Sequence, residues 1–280
     1  MFTVLDVLKG ATDYLEKNGV ESARLNAELL LAHVLKKRRL DLYLEFDRPL
    51  SEEQRAPLRQ LIRDRASGIP LQHLLGSVEF FGREFTSDAR GLIPRPETEQ
   101  LIEMVLARRD SSPRKALDVG TGSGVIALTL ALERPEWSIE ASDLSPEALS
   151  LAQENALRHF PSGGGPGFHQ ADLYPDGEQV YDVIVANLPY IPSDEIEGLQ
   201  REVRHDPLMA LDGGKDGLDF IRSLITLAPT KLSPGGLIAL ESGIHQPPII
   251  AELLSANNFR DIDTTADYQG IERFIFATHG

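Results

Sequence analysis

From Lys115 onward, apolar runs of strand length alternate with helix-length segments, and this alternation restricts the fold more than any other feature of the chain. Ala116–Val119, Trp137–Ser142, Phe168–Ala171, Tyr181–Ala186 and Gly236–Leu240 read as strands. Val125–Leu132, Pro146–Arg158, Gly217–Leu227 and Pro248–Ala256 read as helices. Strands alternating with helices predict an α/β, Rossmann-like domain with a mostly parallel sheet covered on both faces. Two closing strands, near Phe259–Thr264 and Arg273–Thr278, have no helix between them and should pair antiparallel. Gly163-Gly164-Gly165 falls in a loop.

The amino-terminal part has a different texture. Leu5, Leu8, Ala11, Tyr14 and Leu15 recur at helical spacing, as do Ala27, Leu30, Leu31, Val34 and Leu35. A third helix, from Ser51 to about Ser67, opens on the capping pattern Ser51-Glu52-Glu53-Gln54, with Pro49 and Pro70 on either side. Residues 1–75 therefore form a helical domain. Val78, Phe80, Phe81 and Phe85, with Gly76 and Gly82, suggest a short hairpin, so residues 76–90 are expected to link to a larger domain over 91–280. Lys36-Lys37-Arg38-Arg39 reads either as a partner-binding patch or as a solvated helix end that complements the dipole.

Composition narrows the chemistry. The chain has no cysteine, which removes disulfides, thiolate metal sites and a cysteine nucleophile; no metal site is expected. The first ten residues do not resemble a signal peptide, and no apolar run is long enough to span a bilayer, so a cytoplasmic protein without membrane contact is expected. The net charge is −15, and residues 1–80 carry 12 basic and 12 acidic side chains. All the excess negative charge thus lies beyond residue 80. Such a surface repels a phosphate backbone and weighs against a nucleic-acid substrate.

The sharpest motif is Leu117-Asp118-Val119-Gly120-Thr121-Gly122-Ser123-Gly124, where the first strand turns into its helix. Glycines there allow a tight turn and a close approach of ligand to the helix N-terminus. A dinucleotide fingerprint needs a third glycine three residues past the second, and position 125 is valine. The spacing Gly120-x-Gly122-x-Gly124 instead resembles motif I of methyltransferases that use S-adenosylmethionine. Thr121 and Ser123 complete the loop. Asp143, at the end of the second strand, can accept both hydroxyls of a ribose or cap the next helix, a role Ser145 also fits. Asp172 and Leu173 sit where an adenine pocket would close, or form an ordinary loop.

The fourth strand delivers Asn187-Leu188-Pro189-Tyr190 at its carboxyl end, where open α/β sheets bind ligands. A planar NH2 group is a weak nucleophile because its lone pair is delocalised. Two acceptors, the Asn187 side-chain oxygen and the Pro189 or Leu188 carbonyl, can hold its protons and aim the lone pair at a methyl carbon. Tyr190 can pack on a flat amide or base. The bland reading is a strand-to-loop turn.

Nearly the whole chain resembles the release-factor glutamine methyltransferases, the HemK/PrmC family. The resemblance runs through Pro70–Gly76, Glu79–Gly82, Leu92-Ile93-Pro94-Arg95-Pro96-Glu97-Thr98-Glu99, Asp143–Leu149 and Pro207–Leu211, besides the two motifs above. It implies a seven-stranded S-adenosylmethionine-dependent domain behind a helical domain that grips the substrate. It also implies methylation of the glutamine amide in the Gly-Gly-Gln loop of class 1 release factors. Carried over by motif, Gly120 to Gly124, Asp143 and Leu173 would bind the cofactor, and Asn187, Pro189 and Tyr190 the glutamine. Pro94-Arg95-Pro96-Glu97-Thr98 would shape the wall of the site, and Arg95 and Glu97 would alternatively pair with each other to hold that loop. The family tetrapeptide is Asn-Pro-Pro-Tyr; Leu188 departs from it and resembles the ribosomal-RNA adenine dimethyltransferases, so adenine N6 in RNA or DNA is the alternative acceptor. A non-catalytic binding module is the third reading.

Overall fold

One apolar stripe per segment decides how the amino-terminal part folds. Helices α1 (Val4–Lys17), α2 (Ala23–Leu35), α3 (Glu52–Ala66) and α4 (Leu71–Leu75), with a 3-10 segment at Arg39–Glu45, belong to the first of two units in the computed structural model, which describes residues 2–280. Leu8, Leu15, Leu30, Leu31, Leu58 and Ile62 meet in its core. Capping boxes open α1 at Thr3 with Asp6 and α3 at Ser51 with Gln54, each satisfying two backbone N–H groups that a helix start leaves orphaned. The basic cluster follows the end of α2 and is exposed or half-buried, in keeping with a solvated helix end. Lys37 pairs with Glu45, Arg38 with Asp41 and Arg39 with Glu28, so most of its charge is neutralised locally. Gln200–His205, much later in the chain, also belongs to this unit. Arg65 meets Glu202 at 2.5 Å, and Arg201 donates to the Ser67 carbonyl at 2.6 Å.

The second unit begins at Val78. Strands β1 (Ser77–Phe80) and β2 (Arg83–Thr86) form a hairpin whose central residues, Phe81 and Gly82, both have positive φ, the backbone that keeps the twist of flanking strands. Phe80 and Phe85 are fully buried with Leu101, Ile102 and Ile126, so this hairpin supplies core to the second unit.

Helix α5 (Pro96–Arg108) leads into β3 (Lys115–Val119), α6 (Val125–Glu133), β4 (Ser138–Asp143), α7 (Pro146–His159), β5 (Gly167–Gln170) and β6 (Tyr181–Ala186). The chain finishes with α8 (Asp219–Leu227), β7 (Leu232–Glu241), α9 (Pro247–Ala256), β8 (Phe259–Ala266) and β9 (Glu272–His279). The sheet has seven strands in the order β5-β4-β3-β6-β7-β9-β8, and β9 runs antiparallel to both neighbours. Alternate residues face opposite sides. Leu117, Ile184 and Ile238 pack with Leu224 and Ile250, whereas Ala116, Val183 and Val185 pack with Leu101 and Ile126. Both faces are covered, as buried parallel strands require.

β7 is longer than the sequence pattern predicts. Its register jumps from Tyr181↔Leu232 to Val183↔Leu237, so Ser233-Pro234-Gly235-Gly236 bulges out inside the strand. Turn residues there mask a strand that resumes after them. The order of strands reverses between β3 and β6, so their carboxyl ends open a crevice at the switch point. Among the described residues, no helix is long and apolar enough to cross a membrane.

Candidate active site

Val119, Ser142 and Ala186 lie side by side in register at the ends of three strands, with Asp143 one residue beyond. The strands hand the chain to the loops around a cleft of about 1080 Å³, part of it open solvent. Gly120 to Ser123, Asp143, Leu144, Asp172, Leu173 and Asn187 to Pro189 line one continuous surface. The sequence-predicted cofactor and acceptor residues are thereby brought together.

The glycine loop is held from outside by hydrogen bonds to its backbone. Gly120 and Thr121 N–H groups both donate to the Ser142 carbonyl at 2.9 Å, and the Gly122 N–H donates to Asp143 Oδ2 at 2.8 Å. The other Asp143 oxygen accepts from the Ser145 N–H at 2.9 Å. The Leu144 N–H bonds the carboxylate as well, and what acceptor capacity remains faces the cleft. Burial raises the Asp143 pKa, while its backbone hydrogen bonds oppose the shift. Ser145 caps α7, its Oγ accepting from the Ala148 N–H at 3.1 Å. Capping falls to Ser145, which leaves Asp143 to the cleft. The Thr121 hydroxyl turns away from the cleft to Asp118 at 2.6 Å, so only the backbone of that residue is available to a ligand.

Leu173 lines the cleft in a left-handed backbone conformation, φ +66°, which is costly for a branched side chain. Ser142 Oγ secures it by donating to the Leu173 carbonyl at 2.5 Å. Such strain persists only where the surroundings over-determine it, and it marks candidate ligand sites. Asp172 beside it is exposed.

In the acceptor tetrapeptide, Asn187 Nδ2 donates to Thr98 Oγ1 at 3.1 Å, and that hydroxyl donates to buried Glu241 at 2.8 Å. The Leu188 side chain reaches back to the glycine loop. A Cβ on Gly120 would stand 2.7 Å from its Cδ2, the mobile end of that side chain, so it is the φ of +71° rather than the contact that calls for glycine there. Pro189 lines the cleft, yet its carbonyl oxygen would lie only 2.6 Å from a Cβ on Gly213, on the side of the neighbouring loop. The Leu188 carbonyl accepts no hydrogen bond among the described residues.

Three expected residues are not brought to the cleft surface, the first being Gly124, which lies against Ala152 and Leu128 at the start of α6. The Tyr190 ring packs on the core beside β6, its carbonyl accepts from Gln246 Nε2 at 2.8 Å, and burial pushes its hydroxyl up to about 12. Glu97, in the first turn of α5, does not line the cleft either. Arg95 does, and its partner is the buried Asp206 at 2.8 Å rather than Glu97. Thr98 lines the cleft, as the family motif implies. The sequence reading missed Glu241, Gln246 and Asp206. Only their positions, at the carboxyl end of β7 and just beyond it, and directly before Pro207–Leu211, carried a signal.

Comparison with known proteins places this geometry. Residues 6–76 match the PrmC N-terminal domain and residues 97–201 the methyltransferase small domain. The release factor glutamine methyltransferase of Geobacter sulfurreducens is 42% identical over 98% of this chain and 96% of its own length. That of Deinococcus radiodurans is also 42% identical, over 97% of each chain. A crystal structure of a methyltransferase from Pyrococcus furiosus superposes with a TM-score of 0.55 at 20% identity, over 72% of this chain and 91% of that one, a likeness in fold. Sequence identity at this level over nearly the full length shows that the chain belongs to the release factor glutamine methyltransferase family.

Proposed function

We propose that the protein transfers a methyl group from S-adenosylmethionine to the side-chain amide nitrogen of the glutamine in the Gly-Gly-Gln loop of class 1 peptide chain release factors. The observation that carries this reading is the single cleft lined by both the Gly120–Asp143 side and Asn187–Pro189. The cleft fits the cofactor in its donor set: Asp143 keeps acceptor capacity toward the cleft for ribose hydroxyls beside its backbone hydrogen bonds, and Leu173 offers an apolar face for a base. S-adenosylmethionine supplies, when bound, a methyl carbon on a sulfonium.

The chain's own residues then orient the acceptor. Asn187 Oδ1 and the Leu188 carbonyl each take one proton of the glutamine NH2, which aims the nitrogen lone pair away from them. The Pro189 carbonyl is left out, because it faces Gly213. Orientation and dipoles fixed before the reaction account for most of the acceleration. Once methylated, the nitrogen would be acidic enough to give a proton to solvent, so the chain needs to supply no strong base. Arg95, held by Asp206, walls the acceptor side. We assign capture of the release factor to the helical domain of residues 1–75, with residues 76–90 joining it to a methyltransferase domain over 91–280. The reaction is placed in the cytoplasm, and the excess negative charge beyond residue 80 favours a protein over a nucleic-acid substrate.

The test is transfer of labelled methyl to purified, unmodified release factor, with the label located by mass spectrometry. Label on the glutamine amide supports the reading. Label on structured RNA and none on release factor overturns it in favour of the adenine acceptor.

A further inference from the structure

We propose that Thr98 and Glu241 are positioning residues that set which end of the Asn187 carboxamide faces the acceptor. The inference rests on the reading that Asn187 holds the glutamine NH2, and it deepens that reading. Thr98 sits in the first turn of α5 and Glu241 ends β7; both are almost completely buried, at 3% and 2% exposure. A threonine hydroxyl has one proton. Here it goes to Glu241 Oε2 at 2.8 Å, so toward Asn187 the hydroxyl can only accept. Asn187 must then offer its NH2 to Thr98, which it does at 3.1 Å, and its oxygen is left for the cleft. The Asn187 NH2 also hydrogen-bonds the Glu241 carboxylate, which selects the same end. An asparagine without these constraints can present either end, since oxygen and NH2 have nearly the same shape. The wrong end would set a donor against the two protons of the acceptor.

The polarity depends on the charge of Glu241. An ionised carboxylate has no proton to return, so the chain of donors runs in one direction. A protonated Glu241 can donate to Thr98, whose own proton is then free to favour the Asn187 oxygen and turn the amide round. Burial lifts Glu241 to about 7; Thr98, Arg273 and Asn187 oppose the shift and Glu97 adds to it. These groups come from α5, β9 and the end of β6. Tyr190 lies close enough for the Glu241 charge to raise its hydroxyl as well. Methyl transfer should therefore rise with pH through the neutral range as Glu241 ionises.

Single-turnover transfer at saturating release factor, measured across neutral pH together with cofactor affinity, tests this on the full chain. Thr98→Val should lower the rate by about 10²-fold, the scale of a displaced reacting group, with cofactor affinity unchanged. Thr98→Ser keeps the hydroxyl and should recover most of the loss. Glu241→Gln should abolish the neutral-pH rise. The proposal is overturned if Thr98→Val matches wild type, if Ser and Val are equally impaired, if Thr98→Val loses cofactor binding, or if the rise survives in Glu241→Gln. Asn187→Ala separates the two levels. An inert Thr98→Val beside a crippled Asn187→Ala sinks the relay alone, while a fully active Asn187→Ala sinks the acceptor-site reading beneath it.

Discussion

The two sides of the cleft are built differently. On the glycine-loop side, backbone amides and one carboxylate make the surface, and their supports are close in sequence: Ser142, Asp143 and Ser145 hold a loop that ends at Gly124. On the acceptor side, one side-chain amide does the orienting, and its support comes from Thr98 and Glu241, 89 and 143 residues apart from their partners. A backbone cradle depends on the shape of the chain, positive φ at its glycines, rather than on the ends of particular side chains. A side-chain amide has two ends, and selecting one needs neighbours of fixed polarity. The first side should therefore fail gradually and the second abruptly.

Asn187→Ala should show the largest effect. Single-turnover transfer should fall by on the order of 10²-fold or more, while cofactor affinity changes little. Asn187→Asp keeps an oxygen for the acceptor but gives Thr98 no NH2 to accept from, so it should retain only part of the activity lost in Ala. Parallel loss of cofactor binding and rate would move Asn187 to the other side of the comparison. Asp143→Ala should come next. Losing a charged acceptor for two hydroxyls should weaken cofactor binding by about 1.5–3 kcal/mol, with the rate at saturating cofactor nearly retained. Unchanged calorimetric affinity in a folded variant removes Asp143 from the site.

This difference also explains what could be read in advance. The helices, the order of strands, the Ser51 cap and the Ser145 cap follow from periodicity and from residues within one turn. Asp143 was legible because a strand end about 20 residues past a glycine loop has one geometry. Thr98 was visible only as part of a family motif, since nothing in Pro96-Glu97-Thr98 says that a hydroxyl meets a carboxylate at the end of β7. Arg95 invited a local pairing with Glu97, yet a fully buried Asp206 outcompetes it: an unpaired charge there would be costly. Ser233–Gly236 looked like a turn and is a bulge within a strand. In the Lys36–Arg39 cluster, Arg38 meets Asp41 three residues on, whereas only the fold reveals Glu45 and Glu28 as the partners of Lys37 and Arg39.

A third, smaller effect concerns the stability of the glycine-loop side. Asp118 is fully buried; Oδ2 accepts from the Thr121 hydroxyl and from the Ala127 N–H at 3.1 Å, whereas Oδ1 has no hydrogen-bond partner. Burial lifts its pKa to about 7; those two hydrogen bonds oppose the shift and the Asp143 charge adds to it. Between the ordinary carboxylate value and about 7, the folded chain binds a proton that the unfolded chain has lost. Stability therefore falls as pH rises through that window. Melting temperature should decline accordingly, and Asp118→Asn, which cannot ionise, should flatten the decline. An unaltered slope in the variant would mean that Asp118 does not titrate there.

The smallest expected effect lies where the two sides touch. Leu188 stands where most of the family has proline, and its side chain packs on Gly120. Its N–H makes no hydrogen bond among the described residues, so proline at this position forfeits none. Proline also keeps a carbonyl for the acceptor and fixes φ, which suits a rigid acceptor loop. What Leu188→Pro removes is the contact that ties the acceptor loop to the glycine loop. The expected result is a cofactor affinity lower by less than about tenfold, equivalent to about 1.4 kcal/mol, with the rate of transfer to release factor preserved. A collapse of that rate with normal cofactor binding would show that leucine shapes the acceptor pocket itself. The acceptor side would then depend on side-chain packing at 188 as well as on the polarity of Asn187.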